Sequence, residues 1–191
     1  MKKLVVFASG SGSNFQAIID AIRDNRIQAQ ISGLITNREN SGAERRAAAN
    51  KIPVAIISDP DPSSYYRQLE NQLANWSPDL IILAGYLKII PAEIVSEYYN
   101  RIINIHPSLL PKYGGKGYYG LKVHEAVLES GDQVTGCTVH YVNERYDEGD
   151  IIEQRIVPVK DHDTPESLAA RVLKTEHQLL PQVIQNLLTQ N

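Results

Sequence analysis

Along the first hundred residues, short apolar runs alternate with stretches whose apolar residues recur every three or four positions. The run at 4–8 (LVVFA) predicts a buried strand, and residues 9–12 (SGSG) a turn. From Ser13 and Asn14 onward, Phe15, Ile18, Ile19 and Ile22 fall on one face of a helix. The same alternation predicts strands at 29–35, 54–57, 80–84 and 101–105, with helices at 42–49 and 65–73. Continuous apolar strands separated by helices suit a parallel sheet covered on both faces. The first hundred residues are therefore expected to form a doubly wound α/β half.

The pattern then changes. A helix is predicted at 119–128, ending at Ser130 and Gly131, followed by β-rich segments at 135–142 and 151–159 around a polar loop. Two such neighbouring segments suit an antiparallel pair at the edge of a mixed sheet. Thr164, Pro165 and Glu166 mark a helix start, and an amphipathic helix runs from 167 to about 180, where Pro181 is expected to kink or divide it. The expected fold is α/β: one domain over 1–191, with a mainly parallel, doubly wound sheet. Its 1–100 half is Rossmann-like, and its 101–191 part is mixed and partly antiparallel.

At 191 residues, with 42% hydrophobic and 21% charged positions, the chain can build one substantial core. A net charge of −3 offers no basic field for nucleic acid, so an anionic substrate must be held by a local site. The single Cys137 suits a reducing compartment, and a cytoplasmic location is expected. The apolar run at 4–8 is too short for a signal peptide, and no run is long enough to span a membrane.

The segment 104–111 (NIHPSLLP) carries the strongest chemical signal. Asn104 and His106 lie two residues apart at a strand end, so both point to one side while Ile105 faces into the sheet. An amide and an imidazole so placed can grip one oxygen and move one proton. Pro107 and Pro111 stop the strand and shape the loop that follows. Asp147, in the polar loop 147–150 (DEGD), is expected to approach His106 because Gly149 permits a compact return. A carboxylate there would favour the imidazolium. The alternative is that Asp147 and Glu148 cap a solvated turn. His124, on a predicted surface helix, and His140, in an alternating strand, have weaker claims.

Two further loops leave predicted strands at the end where such sheets gather ligands. Residues 10–14 (GSGSN) offer backbone N–H donors at a helix start, fit to hold a phosphate, or else form an ordinary turn with Ser13 as its cap. Phe15 stands where a dinucleotide fingerprint needs its third glycine, and the Gly-Lys-Ser/Thr end of a P-loop is missing. A phosphorylated small substrate fits better than NAD or ATP. Residues 84–91 (AGYLKIIP) can line an apolar slot for a flat heterocycle with Tyr86, Leu87, Ile89 and Ile90, or simply cover the sheet. The sequence contains neither H-E-x-x-H nor a cysteine pair, and no metal is expected; it also lacks the G-x-S-x-G elbow of a serine hydrolase.

Taken together, residues 5–14, 103–111, 136–140 and 147–149 make the chain resemble the phosphoribosylglycinamide formyltransferase family over nearly its whole length. The N-x-H-P-S-L-L-P run marks the wider formyltransferase superfamily, and the glycine loop points to the glycinamide ribonucleotide branch. The resemblance implies transfer of a formyl group from the co-substrate 10-formyltetrahydrofolate to glycinamide ribonucleotide, by a monomer or homodimer. It implies a catalytic set of Asn104, His106 and Asp147, and a ribonucleotide site at Gly12, Ser13, Asn14 and Glu176, with Glu176 meeting the amine. Leu87, Lys88, Ile89 and Ile90 would flank the pterin together with Asn104, with Lys88 turned outward. Pro62 stands where the family often has an arginine for folate, with Arg67 one turn further on, and the glycine-rich loop 114–120 is longer than in many relatives. The runner-up is formyltetrahydrofolate deformylase, which normally carries an N-terminal regulatory domain not expected here. Methionyl-tRNA formyltransferase adds a C-terminal nucleic-acid-binding domain, also not expected. A non-catalytic nucleotide-binding module would account for the glycine loop but not for the Asn104, His106 and Asp147 set.

Overall fold

In the computed structural model, which describes residues 1–190, the apolar runs become strands β1 (Lys2–Phe7), β2 (Ala29–Thr36), β3 (Val54–Ile56), β4 (Leu80–Leu83), β5 (Ile102–His106), β6 (Val134–Tyr141) and β7 (Ile151–Pro158). They form one sheet in the order β3-β2-β1-β4-β5-β6-β7. The first five strands run parallel, and β6 and β7 add an antiparallel edge. The doubly wound half and the mixed C-terminal part are thus as the hydrophobic pattern indicates.

Helices α1 (Ser13–Arg23), α2 (Gly42–Ala49), α3 (Pro62–Trp76), α4 (Ala92–Glu97), α5 (Leu121–Glu129) and α6 (Pro165–Gln190) cover the two faces. Alternation along β1 divides the core. Leu4, Val6 and Ala8 pack with Phe15, Ile18, Val172 and Leu179 on one face, and Val5 and Phe7 pack with Tyr65, Leu69 and Ile94 on the other.

Three helices depart from expectation. The helix expected at 65–73 starts at Pro62 because the Asp61 carboxylate caps it, accepting the Ser64 N–H at 2.7 Å, with proline in the first turn. The short α4 was not anticipated: its six residues bury only Ile94 and Val95, too little to register as periodicity. Pro181 neither ends nor divides α6, which continues to Gln190. Leu179, Leu180, Val183 and Ile184 are all buried around it, so tertiary packing outweighs the one backbone bond that proline removes.

The position of β1 between β2 and β4 makes the C-terminal ends of β1 and β4 the point where strand order reverses. Loops there diverge and leave a crevice. The loop after β1 and the loop after β4 flank it, joined by the bond from Ser9 N–H to the Gly85 carbonyl at 3.0 Å. The end of β5 lies beside it.

Candidate active site

The crevice begins at the start of α1. Gly12 occupies the cap position with φ +71, and no side chain caps the helix; Ser13 is its first residue rather than its cap. A Cβ at Gly12 would lie 2.6 Å from the Ala43 Cα, so glycine is required both by conformation and by space. The first turn therefore opens its backbone donors toward the crevice, at the positive end of the helix. Asn14 follows, buried, and its Nδ2 donates to Glu176 Oε2 of α6 at 2.6 Å, across 162 residues of sequence. The Asn14 Oδ1 is buried with no protein partner. Burial pushes the Glu176 carboxyl above its ordinary range, opposed by the Asn14 bond. A carboxyl and an amide oxygen thus line the same cleft as the start of α1, available to a polar ligand.

At the end of β5, Asn104 and His106 emerge on one side while Ile105 is buried in the sheet. His106 Nε2 donates to the Tyr113 carbonyl at 2.7 Å. A carbonyl only accepts, so Nε2 carries the proton, and Nδ1 is left facing Asp147 Oδ2 at 3.6 Å. Asp147 is brought there by a loop that folds back across the sheet. Gly149 is packed so closely on the Tyr141 carbonyl that no side chain would fit, and Asp147 itself has φ +55. Its Oδ2 also accepts the Gly115 N–H at 2.9 Å.

Asn104 Nδ2 points into the same cluster, toward His140 Nε2 at 3.1 Å and Asp147 Oδ1 at 3.3 Å. His140 Nδ1 donates to the Tyr141 carbonyl at 2.8 Å, so its Nε2 accepts from the Asn104 amide. His140 is therefore a member of this cluster and fixes which way the amide faces. Burial pushes His106 below its ordinary value, with the Asp147 charge and the Tyr113 carbonyl opposing and His140 adding slightly to the fall. Burial alone would raise Asp147, but the nearby His140 ring, 3.6 Å away, the charge of His106 and the Gly115 N–H hold it below the ordinary carboxylate value.

Both sets line one cleft of about 790 Å³, closed on one side by the glycine-rich loop 115–120 and on another by α6. A smaller cavity of about 130 Å³ adjoins it along the 86–90 loop. Asn104 and Asp147 line both, which puts them at the junction. Leu87 and Ile89 stand 51% and 58% exposed at that smaller cavity, whereas Ile90 is buried in the core. Lys88 is not turned outward: its Nζ donates to the Asp59 carbonyl at 2.7 Å and lies 4.0 Å from the Tyr65 ring centre, satisfied by both. Pro62 and Arg67 are both exposed on α3.

His124 corrects a second expectation. It sits on α5 but is only 4% exposed, facing the cleft, with Nδ1 lacking a partner; burial lowers it to about 4. Sequence reasoning gave His124 and His140 weak claims. The signal for His140 was its parity with Asn104 across two paired strands, where it is directly opposite, but the register needed to see this is not written in either segment. Among the described residues, no group of three or more His, Cys, Asp and Glu is arranged to hold a metal ion.

Residues 2–184 match the family model described as formyl transferase. The chain is 46% identical to the chloroplastic phosphoribosylglycinamide formyltransferase of Vigna unguiculata over 97% of its own length, spanning about three-fifths (61%) of that protein. It is 39% identical to the phosphoribosylglycinamide formyltransferase of Escherichia coli (strain K12), covering 95% of this chain and 84% of that one. Among solved structures, the phosphoribosylglycinamide formyltransferase of Bacillus halodurans superposes with a TM-score of 0.92 at 34% identity, over 98% of this chain and 96% of that one. A formyltetrahydrofolate deformylase from Pseudomonas syringae superposes with a TM-score of 0.90 at 26% identity, over 99% of this chain and 62% of that one.

Proposed function

The chain belongs to the formyl transferase family, and on that footing we propose that it transfers the formyl group of 10-formyltetrahydrofolate to the amine of glycinamide ribonucleotide. The products are N-formylglycinamide ribonucleotide and tetrahydrofolate, in purine biosynthesis. The observation that carries this reading is a single cleft with an anion-accepting helix start at one end and the Asn104–His106–Asp147 cluster at the other. The adjoining cavity, with Leu87 and Ile89 beside polar residues on its lining, suits the pterin. Similarity to formyltransferases at 39–46% identity, against 26% for the deformylase, favours the amine over water as acceptor. The setting proposed is the cytoplasm, to which the single, buried, unpaired Cys137 is suited.

In this reading the phosphate lies on the N–H groups of Gly12, Ser13 and Asn14, and Glu176 receives the amine. The amine nitrogen attacks the formyl carbon directly, and the carbonyl electrons move onto oxygen. Asn104 meets that oxyanion by giving up its longer bond, the 3.3 Å contact to Asp147, while His140 keeps the other amide hydrogen. His106, protonated as negative charge gathers, presents its Nδ1–H to the same oxygen, with Asp147 favouring the imidazolium. As the carbon–N10 bond breaks, its electron pair goes to N10, which takes a proton, and the former amine nitrogen gives one up. His106 and Asp147 carry that proton between them. No covalent enzyme intermediate and no metal enter the scheme.

The test is to incubate the pure protein with both substrates and identify the product by mass. Formylated ribonucleotide supports the proposal. Formate released at the same rate without the amine would instead assign a deformylase.

A further inference from the structure

The three-residue segment 113–115 holds two ionisable members of the cluster, His106 and Asp147, at once. The Tyr113 carbonyl accepts the His106 Nε2–H at 2.7 Å, and the Gly115 N–H donates to Asp147 Oδ2 at 2.9 Å. Neither hold comes from a side chain, so each is only as good as the backbone conformation behind it. That conformation is unusual: Tyr113 has φ +55, which an aromatic residue adopts only when its surroundings impose it. The side chain of this residue is anchored outside the cleft. The Tyr113 hydroxyl donates to Asp132 Oδ2 at 2.8 Å and lies 2.5 Å from Ser130 Oγ. Asp132 also takes the Lys112 ammonium at 2.9 and 3.1 Å. Asp132 stands in the turn between α5 and β6 and lines neither cavity, so the proposed reaction makes no use of it.

We infer that Asp132 is a positioning residue for the reaction. It grips Tyr113 and Lys112 from behind, and thereby aims the Tyr113 carbonyl at His106 and the Gly115 N–H at Asp147. The inference deepens the proposed function and rests on it for its kinetic consequence, but the grip itself is testable without turnover. The titratable groups around His106 are Asp147 from the β6–β7 loop, His140 from β6 and His124 from α5. None is altered by changing Asp132. The Tyr113 carbonyl stabilises the protonated ring, so loosening it must lower the pH at which His106 titrates.

The experiment uses Asp132→Ala, Tyr113→Phe and Asp132→Asn, the last retaining an acceptor for the tyrosine hydroxyl. In the unliganded protein, the His106 ring is followed by NMR against pH; in parallel, kcat and KM are measured with both substrates. Asp132→Ala and Tyr113→Phe should move the His106 midpoint down, and lower kcat roughly three- to tenfold, the value of one hydrogen bond, with each KM within about twofold. Asp132→Asn should restore most of both. Should Asp132→Ala fail to fold, Tyr113→Phe, which keeps the ring, decides. An unmoved His106 midpoint in the folded variants would overturn the inference. Absence of formyl transfer by the unaltered protein would instead overturn the functional reading, and leave the titration as the measure of the grip.

Discussion

The two ends of the cleft are built on opposite plans. At the α1 end, the donors available to the cleft are backbone N–H groups fixed by Gly12 and the helix that follows, beside Asn14 and Glu176. At the β5 end they are side chains, each oriented by another: His106 by Tyr113, Asn104 by His140 and Asp147, and Asp147 by Gly115. Backbone donors cannot titrate and are set once the helix forms, which suits tight holding of a fixed charge. Side chains can change protonation and exchange partners, which suits charge that appears and disappears during a reaction. Damage at the first end should therefore appear in affinity, and damage at the second in rate.

The sharpest contrast is expected at the β5 end. Asn104→Ala should lower kcat by about 10²–10³, about 2.7–4 kcal/mol if the amide serves as an oxyanion donor, with little change in the binding of either substrate. For Asp147, alanine would confuse loss of charge with strain at φ +55, so asparagine is the informative replacement. Asp147→Asn should lower kcat by a similar order while the ribonucleotide dissociation constant stays within a few-fold. A comparable loss of affinity in both variants would erase the division between the two ends.

At the α1 end, Gly12→Val should weaken ribonucleotide binding roughly 10–100-fold through loss of one charge-assisted hydrogen bond at about 1.5–3 kcal/mol. Folate binding should hold. The bulk also meets Ala43, so the melting temperature must be measured alongside. Equal loss of both ligands would place the phosphate elsewhere. In the smaller cavity, Ile89→Asp should weaken folate binding about tenfold. Lys88→Ala, which removes a contact to Asp59 rather than one to the ligand, should cost about threefold or less. Folate titration by fluorescence separates the two.

The last effect concerns stability rather than either end of the cleft. His124 titrates at about 4 in the folded protein against an ordinary 6.5, because burial disfavours its charge. The unfolded chain thus takes up the proton first. The contribution is intact above pH 6.5 and is lost as pH falls toward 4, on the order of 3 kcal/mol. Denaturant unfolding at several pH values should show His124→Asn losing less stability across that window than the unaltered protein.

Much of this arrangement was legible in the chain. The β1 and β4 runs are continuous and apolar, so a parallel, doubly wound sheet follows from pattern, and with it the ligand end of the sheet, whereas the strand order does not. Asn104 and His106 were legible because parity within one strand is local. The reach of Asp147 was anticipated from Gly149, a single residue that permits the loop to return. His140 was not, because its place opposite Asn104 depends on the register of two strands 36 residues apart. Nor was the role of Tyr113 and Gly115, which act through the main chain and leave no trace in side-chain chemistry. His124 was misjudged because one polar residue on an amphipathic helix says nothing of whether a cleft or solvent lies beyond it.

The most direct test of a binding end and a reacting end is His106→Ala, measured by calorimetry for each ligand and by single-turnover transfer. Both substrates should bind with near-unaltered affinity while formyl transfer falls by orders of magnitude. A folded variant that transfers the formyl group at a near-normal rate would mean that His106 only secures the loop after β5, and would contradict the account.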